Sequence, residues 1–199
     1  MDNTLDTTVA GKDGIHPATV AFAHAASGAL LLALFAAAND WFSSSSLPIA
    51  AVLGVLSGAA AGAIICTLVH EWFHYFGALA ARGRYRRPSR LALFAFEWDF
   101  KHNSRRQFLV MSYAGTLGSL AAIALFTLII PAETPCSIAL LAASVGSLAF
   151  AGAIEWPVIA RVQGGGDPLA ELSKTTPRVV LASAGIGFAT LLIVAYALT

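Results

Sequence analysis

Charge is what this sequence has least of. Only 12% of its 199 residues are Asp, Glu, Lys or Arg, while 57% are hydrophobic. Soluble domains carry about a quarter charged residues, so the shortage excludes an ordinary soluble enzyme. It implies a chain buried in lipid, as does the mean hydropathy of +0.73. Cysteine is scarce too. Cys66 lies in an apolar run and Cys136 in a short loop, which gives neither a disulfide framework nor a CxxC metal pair. The opening stretch, MDNTLDTTVAGKDGIHPA, lacks the basic region and immediate apolar run of a cleaved signal peptide. The first span is therefore expected to stay in the mature protein. No internal repeat is evident.

Long apolar runs, by contrast, are plentiful. A span needs about 20 apolar residues, and five segments meet that length: 18–39, 48–81, 107–130, 137–160 and 179–198. The second is too long for one perpendicular crossing and must tilt, bend or project. The expected fold is an all-α polytopic membrane protein with about five transmembrane helices: a polar tail over 1–17 and one membrane domain over 18–199.

Basic residues orient it. The connections DWFSSSSLP and PAETPC contain no Lys or Arg, whereas 82–106 and 161–178 hold nearly all of them. By the positive-inside rule, the N-terminus and those two basic loops face the cytoplasm and the C-terminus faces out, in what is expected to be a prokaryotic cell membrane. Within the first basic loop, LALFAFEWDF is apolar but too short to span. It reads equally as an amphipathic anchor or as a short interfacial β segment offering a free strand edge over 91–96.

The most informative stretch is LVHEWFHYFG, residues 68–77. His70 and His74 are four apart, one turn along the same helix face, which lets two imidazoles share one zinc ion. Glu71, next to them, suits proton transfer from water. An ionised carboxylate at this depth costs about 2.5–3.5 kcal/mol on insertion scales, so such a residue is functional by default. On an unbroken helix ending at Arg82, His74 and His70 lie about 12 and 18 Å inside that arginine, at 1.5 Å per residue. Gly54, Gly58, Gly62 and Cys66 continue the same four-residue row upstream, a pattern that lets helices approach closely.

A hydrolytic zinc site needs a third protein ligand and one open position. The extended HExxHxxGxxH motif is excluded, because Gly77 is present but Ala80 stands at the last histidine position. The remaining candidates are His24, Glu97, Asp99, His102, Glu155 and Asp167. Asp167, in VQGGGDPLAEL, follows three glycines that free the backbone, yet Asp-Pro is also a good N-cap and N1 pair. The local pattern leaves the two roles even. Glu155, an acid within the fourth span, ranks second as a ligand and is a candidate for holding substrate.

HEWFH in an apolar span, then MSYAGTLGSL, then EWPVIARVQGGGDPLAEL, resembles the site-2 protease family of intramembrane zinc metalloproteases over roughly residues 48–177. The resemblance implies zinc held by His70, His74 and Asp167, with Glu71 as general base. The chain departs from that family's pattern in three places. Ala114-Gly115-Thr116 replaces AGP, with Ser119 where an asparagine often follows. Ile154-Glu155-Trp156-Pro157 replaces Asn-x-x-Pro, and Asp167-Pro168 replaces Asp-Gly.

The expected activity is zinc-dependent hydrolysis of peptide bonds in or near transmembrane segments of other membrane proteins, with one Zn²⁺ per chain. The partners are a membrane-protein substrate and the lipid bilayer, not nucleic acid. An extended substrate pairing with 91–96 is part of that expectation. Two other classes compete: a haem-binding electron carrier using His24 with His70 or His74, and a protease-like binding module without turnover. A transporter fits less well, since five spans without a repeat give poor support for alternating access.

Overall fold

The structure is a computed structural model that describes residues 14–199. The polar tail expected over 1–17 therefore lies, up to residue 13, outside the described residues. Five helices are long and apolar enough to cross a membrane: α1 (Pro17–Ser45), α2 (Pro48–Ala80), α3 (Arg105–Ile129), α4 (Pro135–Gln163) and α6 (Pro177–Ala197). A one-turn helix, α5 (Pro168–Leu172), precedes the last. This is the architecture of an integral membrane protein, with every expected span present.

Helix starts follow local chemistry. Five of the six begin at a proline, which has no N–H to leave unsatisfied in the first turn. The exception, α3, starts from a capping box between Ser104 and Gln107, and Thr134 forms another with Ser137 ahead of α4. Such caps are each worth about 1 kcal/mol.

The core lies along α2 and α4. In its most apolar stretch α4 is 56% buried, whereas α1 and α6 are each 11% buried and turn most of their surface outward. What brings α2 against α4 is the row of small residues. A β-carbon at Gly54 would strike the Cys136 side chain, and one at Gly58 or Gly62 would strike the Cys136 or Leu140 carbonyl. On the other side of α2, Gly77, Gly115 and Gly118 bring α3 equally close.

The connection from α2 to α3 holds a minimal antiparallel pairing, β1 (Tyr85–Arg86) with β2 (Glu97–Trp98), Tyr85 opposite Trp98. Asn103 clamps it, its Oδ1 accepting from the Arg84 N–H at 2.7 Å and its Nδ2 donating to the Arg84 carbonyl at 2.6 Å. The strand edge expected over 91–96 is not formed. Ala95 and Phe96 are buried in succession while Leu91 to Phe94 are exposed, so the two-residue alternation of a strand is missing. The carbonyl of Ala92 instead accepts from His24 Nε2–H on α1 at 3.0 Å. The Ile15 N–H likewise donates to the Pro88 carbonyl at 2.9 Å, which ties the start of α1 to the same loop.

Candidate metal centre

Two rows of residues, each spaced by four, build the site. On α2 the glycine row continues through Cys66 to His70 and His74; on α3 the facing row is Met111, Gly115 and Ser119. His70 and His74 are 3% and 9% exposed, and their rings meet edge to face with centroids 4.4 Å apart. Their Nε2 atoms are 2.9 Å from each other.

Facing them is Glu155 of α4. Its Oε1 lies 2.9 Å from His70 Nε2 and 3.2 Å from His74 Nε2. Its other oxygen, Oε2, is buried without any hydrogen-bond partner among the described residues. Glu155 sits two residues before Pro157, which lies inside α4 and has no N–H to give the carbonyl one turn back.

The outer nitrogens fix the rings. His74 Nδ1 is 2.9 Å from the Met111 carbonyl. A carbonyl only accepts, so Nδ1 carries a proton, and Nε2 either donates to Glu155 when it too is protonated or offers its lone pair to a cation. His70 Nδ1 meets the Ser119 hydroxyl at 3.0 Å. Gly115 is required at its position, since a β-carbon there would fall on the His74 ring.

Three possible ligand atoms, two imidazole nitrogens and a carboxylate oxygen, thus converge in a triangle with sides of 2.9 to 3.2 Å. Protons on the two nitrogens can serve the two sides that end on Oε1, but then nothing serves the side between the nitrogens. A cation bound to all three serves every side. Tetrahedral zinc, with ligands at about 2.0–2.1 Å, spaces its donors about 3.3 Å apart, close to the sides of this triangle. The donor set of two imidazoles and a carboxylate suits zinc. Each imidazole also has the outer partner that metal-bound histidines usually have, and the orphaned Oε2 marks a carboxylate short of one partner. The residues fit the ion.

Glu71 completes the group. Among the described residues, His70, Glu71 and His74 offer ligand atoms that all lie within 4.8 Å of one another. Glu71, His74 and Glu155 also line one cavity of about 250 Å³, so the open side of the site faces a space in which Glu71 has a share.

The other candidates lie elsewhere. Asp167 is exposed and caps α5, accepting from the Ala170 N–H at 2.9 Å, which is the capping role its Asp-Pro pattern also allowed. The glycines before it serve the turn, with Gly165 at a φ of +111°. The buried acid of that segment is Glu171, bound to Arg161 Nε at 2.6 Å and Lys174 Nζ at 2.7 Å. Lys174, together with Arg161, holds its carboxyl below the usual range. Asp99 bonds His102 at 2.8 Å, and that contact lowers the Asp99 carboxyl likewise. Glu97 is exposed in β2. His24 spends both ring nitrogens on Trp72 Nε1–H and the Ala92 carbonyl, leaving neither for a haem iron. Gly115 and Ser119 entered the motif reading only as departures from a family pattern, and their contacts with the two histidines were not foreseen. Their spacing of four, matched to that of His70 and His74, was the available signal.

No family model matches the chain, and no curated protein or solved structure is detectably similar to it.

Proposed function

We propose that this protein is a membrane-embedded zinc peptide hydrolase of the site-2-protease kind, in which Glu155 takes the ligand position that the family pattern assigns to Asp167. The observation that carries the reading is the meeting of His70, His74 and Glu155 at one point, with Glu155 Oε2 left unpartnered. Zinc in such a site supplies Lewis acidity toward a peptide carbonyl and makes water easier to ionise.

The chain's own residues do the rest. The Met111 carbonyl and Ser119 hydroxyl hold the two imidazoles with their Nε2 atoms inward. Glu71, beside them on the cavity wall, takes a proton from the attacking water and returns it to the leaving amine. Phe94 and Phe96 of the α2–α3 loop line the same cavity and keep bulk water from the reacting groups. The substrate is the transmembrane segment of another membrane protein, reached from the end of the bundle that carries the basic loops, which faces the cytoplasm.

The test is cleavage of apolar transmembrane peptides by the zinc-loaded protein in detergent, wild type beside Glu71→Gln. The expected outcome is cleavage by wild type, a loss of about a hundredfold or more in the variant, and equal zinc in both. Equal rates from the two proteins contradict the assignment.

A further inference from the structure

The cavity that opens off the metal centre has a strongly two-sided chemistry. Its polar wall is Glu71, His74, Ser112 and Glu155. The remainder is apolar and largely aromatic: Phe94, Phe96, Trp98 and Phe100 from the α2–α3 loop, Phe108, Met111, Val158 and Ile159 from α3 and α4, and Leu172 from α5. The part of that wall borne by α3 and α4 is closely packed, with Phe108, Met111, Val158 and Ile159 each 8% exposed or less.

Size narrows the occupant. An apolar cavity of about 150 Å³ is enough to take benzene. At about 250 Å³ this one holds a benzyl or isobutyl group with room for adjoining backbone atoms. Two carboxylates at its polar end disfavour an acidic occupant. Because those same carboxylates flank the imidazoles, a side chain seated here belongs to a residue next to the bond being cut.

Resting on the hydrolase reading above, we infer that this cavity is a specificity pocket for one large apolar side chain of the substrate, the size of phenylalanine, leucine or methionine. Seating such a side chain rather than alanine is worth on the order of tenfold to a hundredfold in binding. The larger cavity between α1 and α2, about 560 Å³ and lined by Leu68 and Phe73 among others, has neither a carboxylate nor a metal-facing histidine and gives no such selection.

The experiment uses zinc-loaded Glu71→Gln protein and apolar 20-residue peptides carrying photo-leucine, a diazirine of leucine's own size, at successive positions. After irradiation, mass spectrometry locates the label. The expected result is labelling of Met111 or Phe96 from one peptide position, displaced by the phenylalanine or leucine peptide at least tenfold better than by the alanine peptide. Val158→Phe, which fills the pocket, is expected to cut that labelling at least tenfold with zinc content unchanged. Labelling confined to Leu68 or Phe73, equal displacement by the alanine peptide, or full labelling of Val158→Phe overturns the inference. Cleavage by wild type is scored separately with the same peptides. A pocket that labels in a protein that never cleaves refutes the hydrolase reading. Cleavage without pocket labelling refutes the pocket alone.

Discussion

The two halves of α2 are packed by the same device and put it to different use. In residues 54–66, Gly54, Gly58 and Gly62 bring α4 close enough for its backbone to touch α2, and the space between them is filled. In residues 70–77 the neighbouring helices are as close, but Gly115 leaves room for an imidazole instead of a methyl group. There the volume freed by glycine is occupied by His74, and Glu155 meets it from α4. Small residues in a membrane bundle can thus serve contact alone, or can admit a polar side chain that meets a carbonyl and a carboxylate from other helices. The difference lies in whether a lone pair, and not only a carbon, is at the meeting point.

Substitutions in the two halves sharpen that contrast. The largest effect is expected from Gly115→Ala, whose new methyl group displaces the His74 ring. Zinc affinity should fall by on the order of a hundredfold or more, read by competition with a chelator. Gly62→Ala in the other half meets the Leu140 carbonyl and is expected to cost about 1–3 kcal/mol of stability as overpacking. The protein that does fold should bind zinc normally, and a lowered Tm with full zinc content is the check. Ser119→Ala removes the partner of His70 Nδ1 without touching the packing. Its expected effect is a drop of about ten- to a hundredfold in zinc affinity, with the metal-free protein destabilised by about 1–3 kcal/mol for the buried nitrogen left without a partner.

The smallest effect lies outside the membrane. Lys174, with Arg161, depresses the carboxyl of Glu171, so the stabilisation it gives is present above the ordinary carboxylate range. It is lost as pH falls through the lowered value. Glu171→Gln should therefore lower Tm at neutral pH, with the gap closing as the buffer is made strongly acid. A gap that widens in acid would contradict the assignment.

The five spans were legible because hydrophobic length is a property of contiguous residues. His70, Glu71 and His74 were legible for the same reason, since a spacing of four on one helix needs no knowledge of the rest of the fold. Glu155 was visible as an acid in an apolar span and ranked second as a ligand, but its meeting with His70 and His74 could not be read. It lies 85 residues beyond His70 in the chain, and only the register of α4 against α2 decides what it faces. Asp167 drew attention through a pattern that also describes a helix cap, and in the structure it caps α5. The segment 91–96 has the composition of a strand, yet pairing depends on a partner, and here its carbonyl at Ala92 goes to His24.

The most direct test of the central claim is the metal content of purified Glu155→Gln and Asp167→Ala beside wild type, after loading with zinc and dialysis. The account predicts about one zinc per chain in wild type and in Asp167→Ala, as for a site of three protein ligands, and a large loss in Glu155→Gln. Zinc retained in Glu155→Gln and lost in Asp167→Ala would contradict it.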